Sequence, residues 1–129
     1  MTELKCIEKD GVHIVAFLDS SLFEESVVHQ RRREIEELVT ERAITRLLLD
    51  LSCVHLAGSA ALGMLIRLRS RCAPQNCHVA LCGLQPPVRE AMRITQLDKI
   101  FEIYPDIEPA VAALQRTPAA GSPGRTPPP

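Results

Sequence analysis

The residues able to do chemistry gather where an apolar run meets a run of small residues. Leu47-Leu48-Leu49-Asp50-Leu51-Ser52 leads through Cys53-Val54-His55-Leu56 to Gly58-Ser59-Ala60-Ala61-Leu62-Gly63. Ser59 stands where a helix N-cap belongs, since its hydroxyl can accept a bond from a first-turn N–H that has no intrahelical partner. Asp50 ends its run as a phosphoacceptor aspartate would. Such a site also needs an acidic pair to hold Mg²⁺ and a lysine late in the chain. Here Cys6-Ile7-Glu8-Lys9 leads into a hairpin instead, so that geometry is missing. Cys72, Cys77, His78 and Cys82 invite a zinc reading, but Cys77 and Cys82, five apart on a strand, point to opposite faces. Buried reduced thiols fit better. Cys53 and His55 point the same way on an extended segment, as a nucleophile and base would, yet nothing places a third member beside them.

Composition narrows the classes further. The chain has 129 residues, 46 % of them hydrophobic, which suits one domain with a sizeable core. Aromatics make up only 3 %, so that core is built from Leu, Ile, Val and Ala. A formal net charge of -1 gives no electrostatic case for nucleic acid or an anionic membrane. The N-terminus MTELKCIEKD shows no apolar signal region, and no run approaches the roughly 20 residues of a membrane helix. A cytoplasmic location is expected. Five cysteines without a C-x-x-C pair read as reduced thiols.

The elements that must position Ser59 follow from periodicity. Leu4 to Ile7 and Val12 to Leu18 read as strands joined by the turn Lys9-Asp10-Gly11, because Asp-Gly between apolar runs supplies the positive φ a hairpin needs. A helix runs from about Glu24 to Arg42, with Val28, Ile35, Leu38 and Val39 at helical spacing. Within it, Arg31-Arg32-Arg33 reads as a solvated face balanced by Glu34, Glu36 and Glu37, or as a docking patch for an acidic partner. Arg46 to Leu51 is the central strand, its leucines unbroken as in a strand covered on both sides. On the helix after Ser59, rotation by 100° per residue puts Ala61, Leu62, Leu65, Leu68 and Cys72 inward. Ser59, Gly63, Ile66 and Ser70 fall on the outer side. His78 to Cys82 is another strand. Pro87 opens a helix with Val88, Ala91 and Met92 facing the core. Lys99 to Tyr104 is an edge strand with Phe101 and Ile103 inward. Asp106 caps a last helix from Ile107 to about Leu114. Residues 1–115 thus read as one domain. Residues 116–129 read as a proline-rich, disordered tail, since five of the ten prolines fall in residues 118–129.

The order β-β-α-β-α-β-α-β-α predicts an α/β fold, a mixed sheet of about five strands with about four helices packed mainly on one face. The stretch Gly58-Ser59-Ala60-Ala61-Leu62-Gly63, followed by Leu81-Cys82-Gly83-Leu84, Pro87-Val88-Arg89-Glu90 and Ile94 to Phe101, resembles the STAS domains of bacterial anti-sigma-factor antagonists. Those domains carry Asp-Ser-Ser/Thr-Gly-Leu-Gly ahead of a helix. Here the Ser, the Leu and the second Gly match; Gly58 replaces the Asp and Ala61 the first Gly. In the first loop Leu22 matches and Phe23 stands where the family has an acid.

The resemblance implies a STAS fold and a non-enzymatic regulatory module with no cofactor and no metal. It implies that Ser59 is phosphorylated by a serine-kinase anti-sigma factor, with a serine phosphatase as a further partner. Leu56, Gly58, Ser59, Ala60, Gly63 and Ile66, with Asp19, Ser20, Ser21 and Leu22 alongside, would form the partner surface. Unphosphorylated protein would sequester the kinase and so release a sigma factor. Because Gly58 and Phe23 depart from the family pattern, a scaffold that is never phosphorylated is the alternative.

Overall fold

The structure, a computed structural model, describes residues 4–116. Strands β1 (Leu4–Lys9) and β2 (Val12–Phe17) form an antiparallel hairpin. Asp10 and Gly11 both take positive φ, 54° and 83°, the turn whose twist matches the strands it joins. The chain continues through β3 (Ser21–Leu22), α1 (Glu25–Arg42), β4 (Arg46–Asp50), β5 (Leu56–Ala57) and α2 (Ser59–Cys72). A 3-10 turn, Ala73–Gln75, leads to β6 (His78–Cys82), α3 (Pro86–Ile94), a second 3-10 turn (Leu97–Lys99), β7 (Glu102–Tyr104) and α4 (Ile107–Gln115).

The main sheet has the order β1-β2-β4-β6-β7. Only the β1–β2 pair is antiparallel, so the sheet is mixed, as expected. Register sorts its residues into two faces. Val15, Leu49, Leu81 and Ile103 lie in one row across four strands and face the larger core. Helices α1, α2 and α3 cover that face with Val28, Ile35, Val39, Leu65, Leu68, Val88 and Met92. The next row, Ile14, Leu48 and Ala80, faces the other way and meets Ala110, Val111 and Leu114 of α4. With helices on both sides, Leu47, Leu48 and Leu49 have no solvent face, which explains their unbroken apolar run.

Several expectations need correction. The edge strand starts at Glu102, not Lys99, because Leu97–Lys99 turns first; Phe101 and Ile103 still pack toward the larger core. Pro86 rather than Pro87 opens α3. Leu62 is only half-buried, and Met64 takes an inward place on α2 instead. The proline-rich tail, from residue 117 on, lies outside the described residues.

The arginine run is the largest correction. Arg31 and Arg32 are buried, so they form neither a solvated face nor a docking patch. Arg31 donates from Nε and Nη2 to the two carboxylate oxygens of Asp19, at 2.9 and 3.1 Å, a bidentate pair that ties α1 to the loop after β2. Arg32 donates from Nη1 to Glu36 at 2.8 Å. Its Nη2 lies 2.9 Å from His29 Nδ1, which must be the acceptor because a guanidinium only donates.

Candidate functional site

Two loops meet around Ser59, and backbone pairing holds them together. Strands β3 and β5 form a small parallel sheet of their own, with Ser21 opposite Leu56 and Leu22 opposite Ala57. The Ser20 carbonyl accepts from His55 N–H at 2.8 Å, and the Leu22 carbonyl from Gly58 N–H at 3.2 Å. Beneath them Phe17, Leu22, Leu51 and Val54 are fully buried. The residues on these loops are therefore carried by a packed base. Two-residue strands carry no alternating pattern, so this pair is not legible from residue order.

Ser59 is the first residue of α2, not its cap. Gly58 occupies the N-cap in an extended conformation, and its carbonyl accepts from Ala61 and Leu62 N–H at 3.0 and 3.2 Å. No side chain caps the helix, and Ser59 is exposed. The expected N-cap role of Ser59 is therefore overturned, for a geometric reason. A residue already inside the first turn projects its side chain outward, while the cap's side chain is the one that can fold back. The hydroxyl is left on the surface at the positive end of the helix dipole.

Gly58 makes room for a neighbour. Its φ of -91° and ψ of -175° would suit any residue. A Cβ there, however, would sit 2.8 Å from Cδ1 of Phe23. The Phe23 ring thus lies where a side chain at position 58 would begin. Both departures from the family pattern are one contact: an aromatic ring at 23 against a bare backbone at 58. Gly63 is the opposite case, since a Cβ there meets nothing within 4 Å. Packing does not ask for that glycine, and it keeps the outer face of α2 low.

Around Ser59 the surface is apolar in an uncommon degree for exposed positions. Phe23 is 61 % exposed, Leu56 51 % and Ile66 45 %. Beside them a cleft of about 400 Å³ runs between the two helices. Glu25, His29 and Arg32 line it from α1, and Ser59, Gly63 and Arg67 from α2. Of the residues expected on the partner surface, Leu56, Gly58, Ser59, Gly63, Ile66, Ser20 and Ser21 come together here, and Ala60 sits half-buried against the core. Leu22 does not belong: it is fully buried under the small sheet. Asp19 is spent on Arg31, its side chain only 13 % exposed. Phe23 is the surface residue that the expected set left out. Its signal was present, as a large apolar side chain in a loop otherwise rich in Asp, Ser and Glu.

The other candidates sit elsewhere. Asp50 lies at the end of β4 over a second cavity of about 460 Å³, shared with Ser52, Cys82, Gly83, Asp106 and Glu108. It is 9 % exposed, and its Oδ1 accepts from Ser52 N–H at 3.0 Å. Gly83 takes φ +71°, and a Cβ on it would approach that same oxygen to 2.9 Å. Asp50 therefore fastens a loop. Burial, then the charges of Asp50 and Asp106, push the Cys82 thiol up to about 12. Cys77 and Cys82 do face opposite cores, and Cys53 and His55 lie on the exposed loop after β4.

The comparisons agree with this geometry. The family model of the STAS domain matches residues 4–110, and the chain belongs to that family. A STAS-domain containing protein of Pseudomonas aeruginosa is 35 % identical over 77 residues, covering 58 % of this chain and 73 % of that protein. Among solved structures, an anti-sigma factor antagonist from Mycobacterium paratuberculosis superposes with a TM-score of 0.76 at 24 % identity, over 87 % of this chain and 92 % of the other. The same fold forms one part of a murine anion transporter, Slc26a9, with a TM-score of 0.73 at 19 % identity. That match covers 86 % of this chain and 19 % of the transporter. Among the described residues no helix is long and apolar enough to cross a membrane.

Proposed function

We propose that this chain is an anti-sigma factor antagonist, a cytoplasmic binding module without catalysis of its own. Its partner is a serine-kinase anti-sigma factor, which it holds through the surface around Ser59 when that residue is unmodified. Phosphorylation of Ser59 by the same partner ends the complex, a serine phosphatase restores it, and sigma-factor-dependent transcription follows the balance. The observation that carries this reading is Ser59 itself: exposed, in the first turn of α2, and flanked by the exposed side chains of Phe23, Leu56 and Ile66. A phosphate there adds about -1.5 to -2 charges, which the N-terminus of α2 tolerates within this protein. The same charge, placed beside apolar side chains that a partner must cover, is desolvated when the partner docks. A penalty of about 3 kcal/mol lowers affinity more than a hundredfold. The switch needs no change of fold.

The test uses the cognate kinase with ATP and intact-mass measurement. The expected result is one added phosphate, about 80 Da, lost in Ser59→Ala. Ser59→Asp should bind the kinase far more weakly than wild type while unfolding at the same urea concentration. The Phe23–Gly58 contact favours a second reading, a scaffold that binds but is never phosphorylated, because Gly58 stands where the family pattern has an acid. Intact binding with no added mass decides for the scaffold.

A further inference from the structure

Away from Ser59, at the opposite end of α2, two thiols lie side by side. Cys72 is the last residue of the helix and Cys77 precedes β6. Cys77 N–H donates to the Cys72 carbonyl at 3.0 Å, closing the short turn between them. Standard bond lengths then keep the two Cα atoms within about 7 Å, which spans the separation a disulfide normally bridges. Both side chains enter the same core cluster, at 1 % and 3 % exposure, and the two thiols lie close enough to shift one another's ionisation. The turn between them, Ala73–Asn76, is exposed at all four residues. Asn76 already adopts the left-handed conformation, φ 60°, that brings the chain back on itself.

We propose that Cys72 and Cys77 form a peroxide-sensitive dithiol that closes to a disulfide inside the folded domain. The Cys72 sulfur, as thiolate, attacks one oxygen of hydrogen peroxide; the O–O bond breaks, hydroxide leaves and Cys72 becomes a sulfenic acid. The Cys77 sulfur then attacks the Cys72 sulfur. The S–S bond forms, the S–O bond breaks, and the Cys77 proton leaves with the hydroxyl as water. Two thiols and one peroxide yield one disulfide and two waters. The neighbouring Cys77 thiol holds Cys72 below the usual thiol range against the effect of burial, and Cys77 is raised, in keeping with Cys72 as the attacking sulfur. The product ties the end of α2 to the start of β6. Cys82 stands apart, since it faces the opposite core.

Tryptic mapping reads the outcome directly, because cleavage after Arg71 and Arg89 leaves Cys72, Cys77 and Cys82 in one peptide. The folded, reduced full chain is treated with hydrogen peroxide at a level that oxidises the exposed Cys53, then quenched, unfolded, alkylated and digested without reduction. Residues 72–89 should carry one alkyl group, on Cys82, and weigh about 2 Da less than expected for the remaining thiols. In Cys77→Ser, where closure is impossible, Cys72 should instead accumulate as sulfenic acid and react with dimedone. A 72–89 peptide that keeps three alkylatable thiols, or a bridge that includes Cys82, overturns the proposal. The wild-type map alone decides this should the variant fold poorly.

Discussion

Helices α1 and α2 lie side by side on one face of the sheet, yet they use their arginines in opposite ways. In α1, Arg31 and Arg32 are buried, and each is matched by a carboxylate, Asp19 or Glu36. In α2, Arg67, Arg69 and Arg71 are exposed, the helix contains no acid, and they form no ion pair among the described residues. The first set belongs to the fold. The second belongs to the surface, along with Ser59, Gly63 and Ile66. The difference teaches that a charge run says little about its role until its partners are placed. Arg31 looked like surface in the sequence because Asp19, twelve residues earlier, is brought to it only by the turn after β2.

Substitutions can break this contrast, beginning with the largest expected effect. Arg31→Met should cost about 3 kcal/mol in urea unfolding, because it strands the Asp19 carboxylate at low exposure without its partner. Arg31→Met with Asp19→Leu should recover much of that loss. A single variant as stable as wild type would show the pair to be ornamental and erase the distinction between the helices.

Gly58→Asp restores an acid beside Ser59 but must drive the Phe23 ring from its seat. The cost should be about 1 kcal/mol, at the low end for overpacking because that ring can swing into solvent. Phe23→Ala made together with Gly58→Asp should cancel most of it, and a double-mutant cycle with zero coupling would mean the contact is incidental.

Gly63→Ala sharpens the comparison from the other side. It should stabilise the protein by about 0.5–1 kcal/mol through helix propensity, since nothing opposes the added methyl. On the proposed docking face the same methyl should weaken kinase binding. A variant that gains stability and loses no affinity would remove α2's outer face from the interface. Smallest of all, Arg67→Ala and Ile66→Ser should each change stability by less than about 0.5 kcal/mol, as exposed sites do. Ile66→Ser should still reduce affinity measurably by calorimetry.

Much of the architecture was legible because it rests on local pattern. Asp10-Gly11 declared its hairpin, the unbroken leucines of β4 declared a strand covered twice, and the spacing of Leu65 and Leu68 set the inward face of α2. The site was legible as a place but not as a set of contacts. Ser59 was found at the right helix in the wrong role, one residue inside the cap. Leu22 and Asp19 read as surface in sequence, yet one is core and the other is an ion-pair partner. The β3–β5 pair escaped because two-residue strands carry no period.

By itself, then, the order of residues determined the longer helices and strands and which side of each is apolar, since those choices depend on neighbours a few positions apart. Tertiary structure decided where Phe23 and Arg31 belong. Each takes its meaning from a group distant along the chain, Phe23 from Gly58 and Arg31 from Asp19, and only the folded sheet brings such groups within reach.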